Sequence, residues 1–569
     1  MNRDAFDDPI LLELVRYSLD AIADEMALVL VRTAYSINLK NTMDMCCAIC
    51  DAEGRLIVQG LTLPLHLGSI PEAMRAVLAK FRGRIEDGDL FVLNDPFEGG
   101  SHLPDFFLFR PIFLDGRHIA WAVSEAHHLD VGGKTPGGNG CDATEIFQEG
   151  IRLSPTKMIS RGERVEAVFD FIASNVRVPR HVLGDIDAQI AACDTGRRAY
   201  LALVQRYGYD KLMRCIEALL DQSERYARAA IAAMPDGTYE FTDYVDDDGI
   251  DPDPIRITVA VTVAGDRLRA DFTGTAKQVK GAINATLSFT TSAVYATVRH
   301  LIPGNLPNNE GFFRPIEIHA PPGTVVHATL PAAVAARGLT GFRLANVMFG
   351  ALAKIAPDRI FACEVGADTG ISYGGVDHSG RPFVFLEFGC GSWGGRPRLD
   401  GVDACGSSVV NFSNNPVEVV EWEYPMMIER YGYVADSGGA GRYRGGLAIE
   451  RQYRFGIDGG QLQLRGDRIK FRPYGLQGGE AGAASRNVVR RNGEENELPG
   501  KCTLVVSRDD VFHHRLAGAG GWGDPRTRDV AMVREDLIDG KITADFARRW
   551  HAVDVRLGPG GEVLEVTRP

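Results

Sequence analysis

Residues 106–126 hold two apolar runs, FFLFRPIFL and HIAWAVSEA, separated by Asp115-Gly116-Arg117. No other segment restricts the fold as tightly, because apolar runs flanking an Asp-Gly turn can pair only as an antiparallel ribbon. A turn centred on Gly116 places Asp105 opposite His127. Directly opposed side chains in such a ribbon lie about 5 Å apart at Cβ, and His102 precedes Asp105 by a single turn. The flanking segments are polar and glycine-containing: NDPFEGGSHLPD at 94–105 and SEAHHLDVGG at 124–133. Two imidazoles and a carboxylate therefore converge from distant positions, which is how a divalent metal site is built.

A stable site needs a further ligand, and Asp44 is the candidate. It lies in MDMCCAIC, where period two puts Asp44, Cys46, Ala48 and Cys50 on one face of an otherwise apolar strand. An isolated charge in that setting is costly. Two imidazoles with two carboxylates suit Mn²⁺, Fe²⁺ or Zn²⁺ better than Ca²⁺, which prefers oxygen ligands throughout. The alternative is that these groups only pair with one another at a sheet end. Supporting roles around the site fall to His128, Asp130 and Glu98. In a strand His128 faces away from His127, Asp130 lies in a glycine-rich turn, and Glu98 precedes Gly99-Gly100. Asp95 and His66 are further neighbours, with ordinary turn and core roles as their alternatives.

The chain of 569 residues exceeds one hydrophobic core and implies several packed units. Its 45% hydrophobic and 24% charged content is that of an ordinary globular protein, and a net charge of −13 argues against nucleic acid or an anionic membrane as partner. The acidic N-terminus lacks the apolar core of a signal peptide, and no run of about 18 apolar residues spans a membrane. Ten scattered cysteines fit reduced thiols and a cytoplasmic location. Cys47 and Cys50 form a C-x-x-C spacing without the second pair a zinc finger requires.

Helix periodicity predicts helices over 9–35, 70–82, most of 160–235, 287–302, 341–356, 529–537 and 543–550. Alternation predicts hairpins at 44–60 and 105–127, strands from 238 onward, and a glycine-rich β region over 360–520. The expected class is mixed α+β, multidomain, with largely antiparallel sheets and helical segments. The expected divisions are 1–236, 237–355 and 356–569. Gly518–Asp524 and Gly438–Arg442 invite comparison with phosphate-binding loops. Both lack the Lys-Ser/Thr ending, and neither opens a helix after a buried strand. A Ser-His-Asp order and a G-x-S-x-G elbow are absent.

Several long motifs in order give the chain a resemblance to the hydantoinase B/oxoprolinase family over nearly its full length. They are NLKNTMDMCCAICDAEGRLIVQG, NDPFEGGSHLPD, EAHHLDVGG, NVRVPRHVLGDIDAQIAA, NNPVEVVEWEYPMMIERY, SGGAGRYRGG and GAGGWGDP. The resemblance implies a division of labour. A partner A-type subunit binds ATP and phosphorylates the substrate oxygen, while the B-type chain holds one divalent transition metal. Asp44, His102, Asp105 and His127 match the ligand positions by motif. Asn41 departs from relatives that often carry an acid there.

By the same resemblance, the chain is expected to be a subunit of a ring-opening amidohydrolase acting on a cyclic amide, in a hetero-oligomer such as A2B2. A metal-bearing subunit of a ketone carboxylase is the second reading, and an assembly partner with a structural metal is the third.

Overall fold

In the computed structural model, which describes residues 8–60, 63–304, 306–366 and 369–569, the chain divides into two units. The first comprises 1–240 with 259–337, and the second 241–258 with 338–569. The expected three-part division differs because the chain returns: 259–337 rejoins the first unit instead of forming a middle domain with 338–355. The class is mixed α and β, with mostly antiparallel sheets.

The first unit is built on a seven-stranded sheet of β1 (Met45–Asp51), β2 (Leu56–Gln59), β3 (Leu90–Leu93), β4 (Asp105–Leu114), β5 (Arg117–His127), β6 (Thr156–Ser160) and β7 (Glu163–Arg164). Its order is β2-β1-β5-β4-β3-β6-β7. The central strands β1, β4 and β5 are almost wholly buried, so both faces of the sheet are covered. Apolar residues on both faces explain why these segments read as continuous runs.

Helices α1 (Pro9–Thr33), α2 (Ser69–Phe81), α3 (Glu166–Asn175), α4 (Pro179–Tyr207), α5 (Tyr209–Ala232) and α6 (Leu287–Arg299) complete the frame. The side chain of Asp8 caps α1, accepting from Leu11 N–H at 2.9 Å, and Pro9 occupies the first turn, where its missing N–H costs nothing. Pro179 likewise starts α4, nine residues ahead of the periodic stretch that begins at Ala188. On one face of the sheet lies α4, whose Gln189 donates to the carbonyl of Phe106 at 2.9 Å. The other face meets the start of α2 and α6; Gly68 N–H donates to Ser292 Oγ at 2.8 Å, and Ser288 Oγ to Gly100 O at 2.7 Å.

The β4–β5 ribbon turns through Asp115 and Gly116, both left-handed (φ 50° and 78°), the conformation of the two-residue hairpin that matches strand twist. The turn is therefore centred between these residues and not on Gly116. Taken alone, that shift would set Asp105 against Ala126. A bulge restores the expected pairing: Phe113 faces His118 but Ile112 faces Ala120, so Ile119 is the extra residue, and Asp105 meets His127.

The second unit holds a four-stranded antiparallel sheet (369–376, 382–388, 460–466, 501–506) and a five-stranded antiparallel sheet (426–434, 448–455, 486–491, 494–497, 511–515). The C-terminal helices occupy Val530–Ile538 and Ala544–His551. Beyond them Asp554–Leu557 and Val563–Thr567 pair as a hairpin. The glycine-rich loops owe their composition to backbone contact. A Cβ on Gly520 would lie 2.0 Å from the carbonyl of Tyr474, and one on Gly518 1.8 Å from that of Ser437. No helix among the described residues is long and apolar enough to cross a membrane.

Candidate metal centre

The site lies at one end of the β4–β5 ribbon. Asp105 opens β4, His127 closes β5, and the two are directly paired. The main chain of His127 continues the ladder by donating to the carbonyl of Asp44 at 3.0 Å. A tight turn brings His102 over them, Asp105 N–H donating to His102 O at 3.1 Å. Asn94 holds that turn, its side chain donating to Leu103 O at 2.7 Å and Ile151 O at 3.0 Å and accepting from Leu153 N–H at 2.6 Å.

His102, Asp105 and His127 are buried and each offers a ligand atom within 4.8 Å of the others. The two imidazole rings stand 4.8 Å apart. His102 Nδ1 lies 2.9 Å from the carbonyl of Ala335, to which it can only donate, so a neutral His102 carries its lone pair at Nε2. That nitrogen faces Asp105 Oδ1 at 3.3 Å, and neither atom makes a hydrogen bond. Burial and the charge of Arg337 hold the His102 pKa down against the pull of Asp105, which disfavours a proton in the gap. Two lone pairs face to face in a buried site are repulsive, and a cation between them removes the conflict. The donor set fits a divalent transition metal.

Arg337 completes the surroundings. Its guanidinium pairs with Asp105 Oδ2, donates to Ser101 Oγ at 3.0 Å and lies over the Phe289 ring at 4.3 Å. Although burial opposes ionisation, the charge of Arg337 holds Asp105 well below the usual carboxylate range. Asp44 moves the other way: burial and the charge of Asp105 push its carboxyl well above the ordinary range, with Arg337 opposing. Asp44 is thus close enough to sense Asp105, but it is not one of the three groups that converge within 4.8 Å.

A strap at 333–337 supplies both Ala335 and Arg337. It is anchored by buried Glu149, whose Oε1 accepts from Val334 N–H at 2.7 Å and Ala335 N–H at 2.8 Å. Gly133 allows the approach, since a Cβ there would lie 2.5 Å from the Glu149 carbonyl.

The structure separates the remaining candidates. His128 projects to the opposite face, its Nε2 2.9 Å from Gln189 Oε1 of α4 and its ring against Phe106. Asp130 is held by its own loop and by the segment ahead of α4, accepting from Gly137 N–H at 2.9 Å and Arg177 N–H at 2.5 Å and pairing with the Arg177 guanidinium at 3.1 Å. Glu98 is exposed, 3.4 Å from Ser154 Oγ. These three are not brought to the centre. Asp95 caps its own short turn and pairs with Arg152 at 3.3 Å. Asn41 belongs to the turn Asn38–Thr42, whose Asn38 donates to His127 O at 2.8 Å. None of the ten cysteines is joined in a disulfide.

Sequence reasoning gave no role to Glu125, Ser69, Glu149 or Arg337. Glu125 was detectable, since it lies two residues before His127 and shares its face. Arg337 carries no such signal, being 232 residues from Asp105.

The sequence model of Hydantoinase B/oxoprolinase matches residues 8–525. The caprolactamase subunit beta of Pseudomonas jessenii is 32% identical over 570 residues, covering 96% of either chain. The crystal structure of the ATP-dependent caprolactamase from that organism has a TM-score of 0.92 at 30% identity, over 98% of both chains. A nucleotide-free acetone carboxylase also has a TM-score of 0.92, at 19% identity, over 98% of this chain and 81% of that one, and shares the fold.

Proposed function

Because the chain belongs to the hydantoinase B/oxoprolinase family, we propose that it is the metal-binding B subunit of an ATP-dependent ring-opening amidohydrolase. Its substrate is a cyclic amide of the lactam or hydantoin class, activated by phosphorylation in an A-type partner. The observation that carries this reading is the pair of unsatisfied lone-pair atoms, His102 Nε2 and Asp105 Oδ1, 3.3 Å apart beside His127.

His102, Asp105 and His127 would hold one ion of Mn, Zn or Fe, with Asp44 as the additional carboxylate. When bound, such an ion polarises a carbonyl or lowers the pKa of water into the neutral range. The chain's own residues prepare the site for it. Arg337 keeps Asp105 ionised, and the Ala335 carbonyl fixes the His102 tautomer with Nε2 aimed inward. Burial excludes bulk water and strengthens each of these interactions. Amide resonance makes a ring carbonyl a poor electrophile, and activation is assigned to a partner because the glycine-rich loops at 438–442 and 518–524 lack the Lys-Ser/Thr ending of a phosphate-binding loop. A cytoplasmic hetero-oligomer such as A2B2 is in keeping with this division of labour.

The test is to co-purify the chain with an A-type subunit and supply ATP with hydantoin, 5-oxoproline and caprolactam, with and without bicarbonate. Ring-opened product formed with ATP consumption, independent of bicarbonate, is expected. Carboxylated product that requires bicarbonate would overturn hydrolysis and assign the chain to a ketone carboxylase.

A further inference from the structure

Asp105 belongs to a second convergent group. His66, Asp105 and Glu125 are buried, and each offers a ligand atom within 4.8 Å of the others. His66 ends the turn Pro64–His66 ahead of α2, and Glu125 projects from β5 on the same face as His127. His66 Nδ1 stands 3.5 Å from Glu125 Oε1, yet neither nitrogen of His66 nor Glu125 Oε1 makes a hydrogen bond. The other oxygen of Glu125 is satisfied by Ser69 Oγ at 3.1 Å.

A fully buried imidazole with both nitrogens unsatisfied, aimed at a carboxylate oxygen in the same condition, is expensive unless something occupies the space between them. His128 makes the contrast on the far side of the sheet, where Gln189 meets its Nε2.

We propose that His66, Glu125 and Asp105 form a second divalent-cation site, so that the first unit holds a two-ion centre sharing the Asp105 carboxylate. This rests on the reading of His102, Asp105 and His127 as the first site. Asp105 Oδ2 is engaged by Ser101 and Arg337, which leaves Oδ1 as the shared oxygen. One nitrogen and two carboxylate oxygens suit Mn²⁺, Fe²⁺ or Zn²⁺. Ions bridged by a carboxylate lie about 3.5–4 Å apart in two-metal sites.

Charge decides what the pair is for. Once bound ions have displaced their protons, Asp44, Asp105 and Glu125 against Arg337 carry a surplus of two negative charges. A single divalent ion neutralises it, and a second gives the pocket a net positive charge that favours an anionic, phosphorylated reactant.

The test uses the full chain, loaded with Mn²⁺, desalted and analysed for metal by mass spectrometry and by anomalous scattering from crystals. Two ions per chain are expected, on either side of Asp105. In Glu125→Gln and His66→Gln, one ion is expected to remain between His102 and His127, with the melting temperature reporting that the fold survives. One ion in the unsubstituted chain, or the same metal content in Glu125→Gln as without it, overturns the second site and leaves the first intact. No bound ion defeats both readings.

Discussion

Asp105 faces His127 because the β4–β5 ribbon absorbs one extra residue, Ile119, between its turn and its far end. The Asp115-Gly116 turn by itself specifies a regular hairpin out of step by one residue, and a one-residue slip would send a side chain to the other face. The bulge reconciles the turn with the site.

Deleting Ile119 should therefore leave Asp105 paired with His127, since the regular hairpin that results has the same far register. The lost burial of this side chain, 1% exposed, costs about 1.5–3 kcal/mol. Metal content should stay at the parent value while the melting temperature falls. Loss of the metal would show that the bulge does more than restore register.

Glu149 acts on the centre through the strap. Replacing it by Ala leaves the N–H groups of Val334 and Ala335 unsatisfied, at about 1–3 kcal/mol each. The Ala335 carbonyl that orients His102 then loses its anchor, and metal affinity should fall by about 10–100-fold. Glu149→Gln keeps the accepting oxygen and should bind metal nearly as the parent does. Burial pushes the Glu149 carboxyl well above its ordinary range, so a neutral amide is a close mimic. Calorimetric titration with Zn²⁺ or Mn²⁺ separates the two variants.

Arg337 keeps Asp105 ionised, so Arg337→Met should move metal loading to higher pH. The sign comes from competition: a carboxyl with a raised pKa holds its proton to higher pH, and the ion must displace it. Near pH 6 the variant should bind about tenfold or more weakly than the parent, with the difference narrowing as pH rises. Parallel curves would place the role of Arg337 elsewhere.

In the second unit, burial holds His514 down to about 3, with the neighbouring His513 adding to the effect. Its ordinary pKa is about 6.5, so between these values the unfolded chain binds a proton that the folded one does not. Stability is intact above about 6.5 and falls as pH drops toward 3, by up to about 1.4 kcal/mol per pH unit from this group. His514→Gln should flatten that part of the urea midpoint against pH.

The candidate metal centre was legible where chemistry and periodicity coincide. Alternation with an Asp-Gly turn led to Asp105 and His127, and the same alternation sent His128 to the opposite face, where it meets Gln189. The helix over 9–35 was readable from spacing and from Pro9, and the structure forms it at Pro9–Thr33. Partners brought in by tertiary path were not legible. Arg337 and Ala335 lie more than 200 positions from the histidine and carboxylate they hold, and no local pattern marks them. Glu149 resembles any loop acid until the strap is seen against it. The terminal hairpin was hidden by Gly558-Pro559-Gly560-Gly561, which has the composition of coil but supplies the turn between two short strands.

His102 and His127 are each 1% exposed, and Asp105, His66 and Glu125 are 0% exposed. A cation held among them would have no standing opening to the medium. Its release would require the 101–105 turn or the 333–337 strap to lift, so a chelator is expected to strip it slowly, at a pace set by backbone opening and not by the chelator concentration.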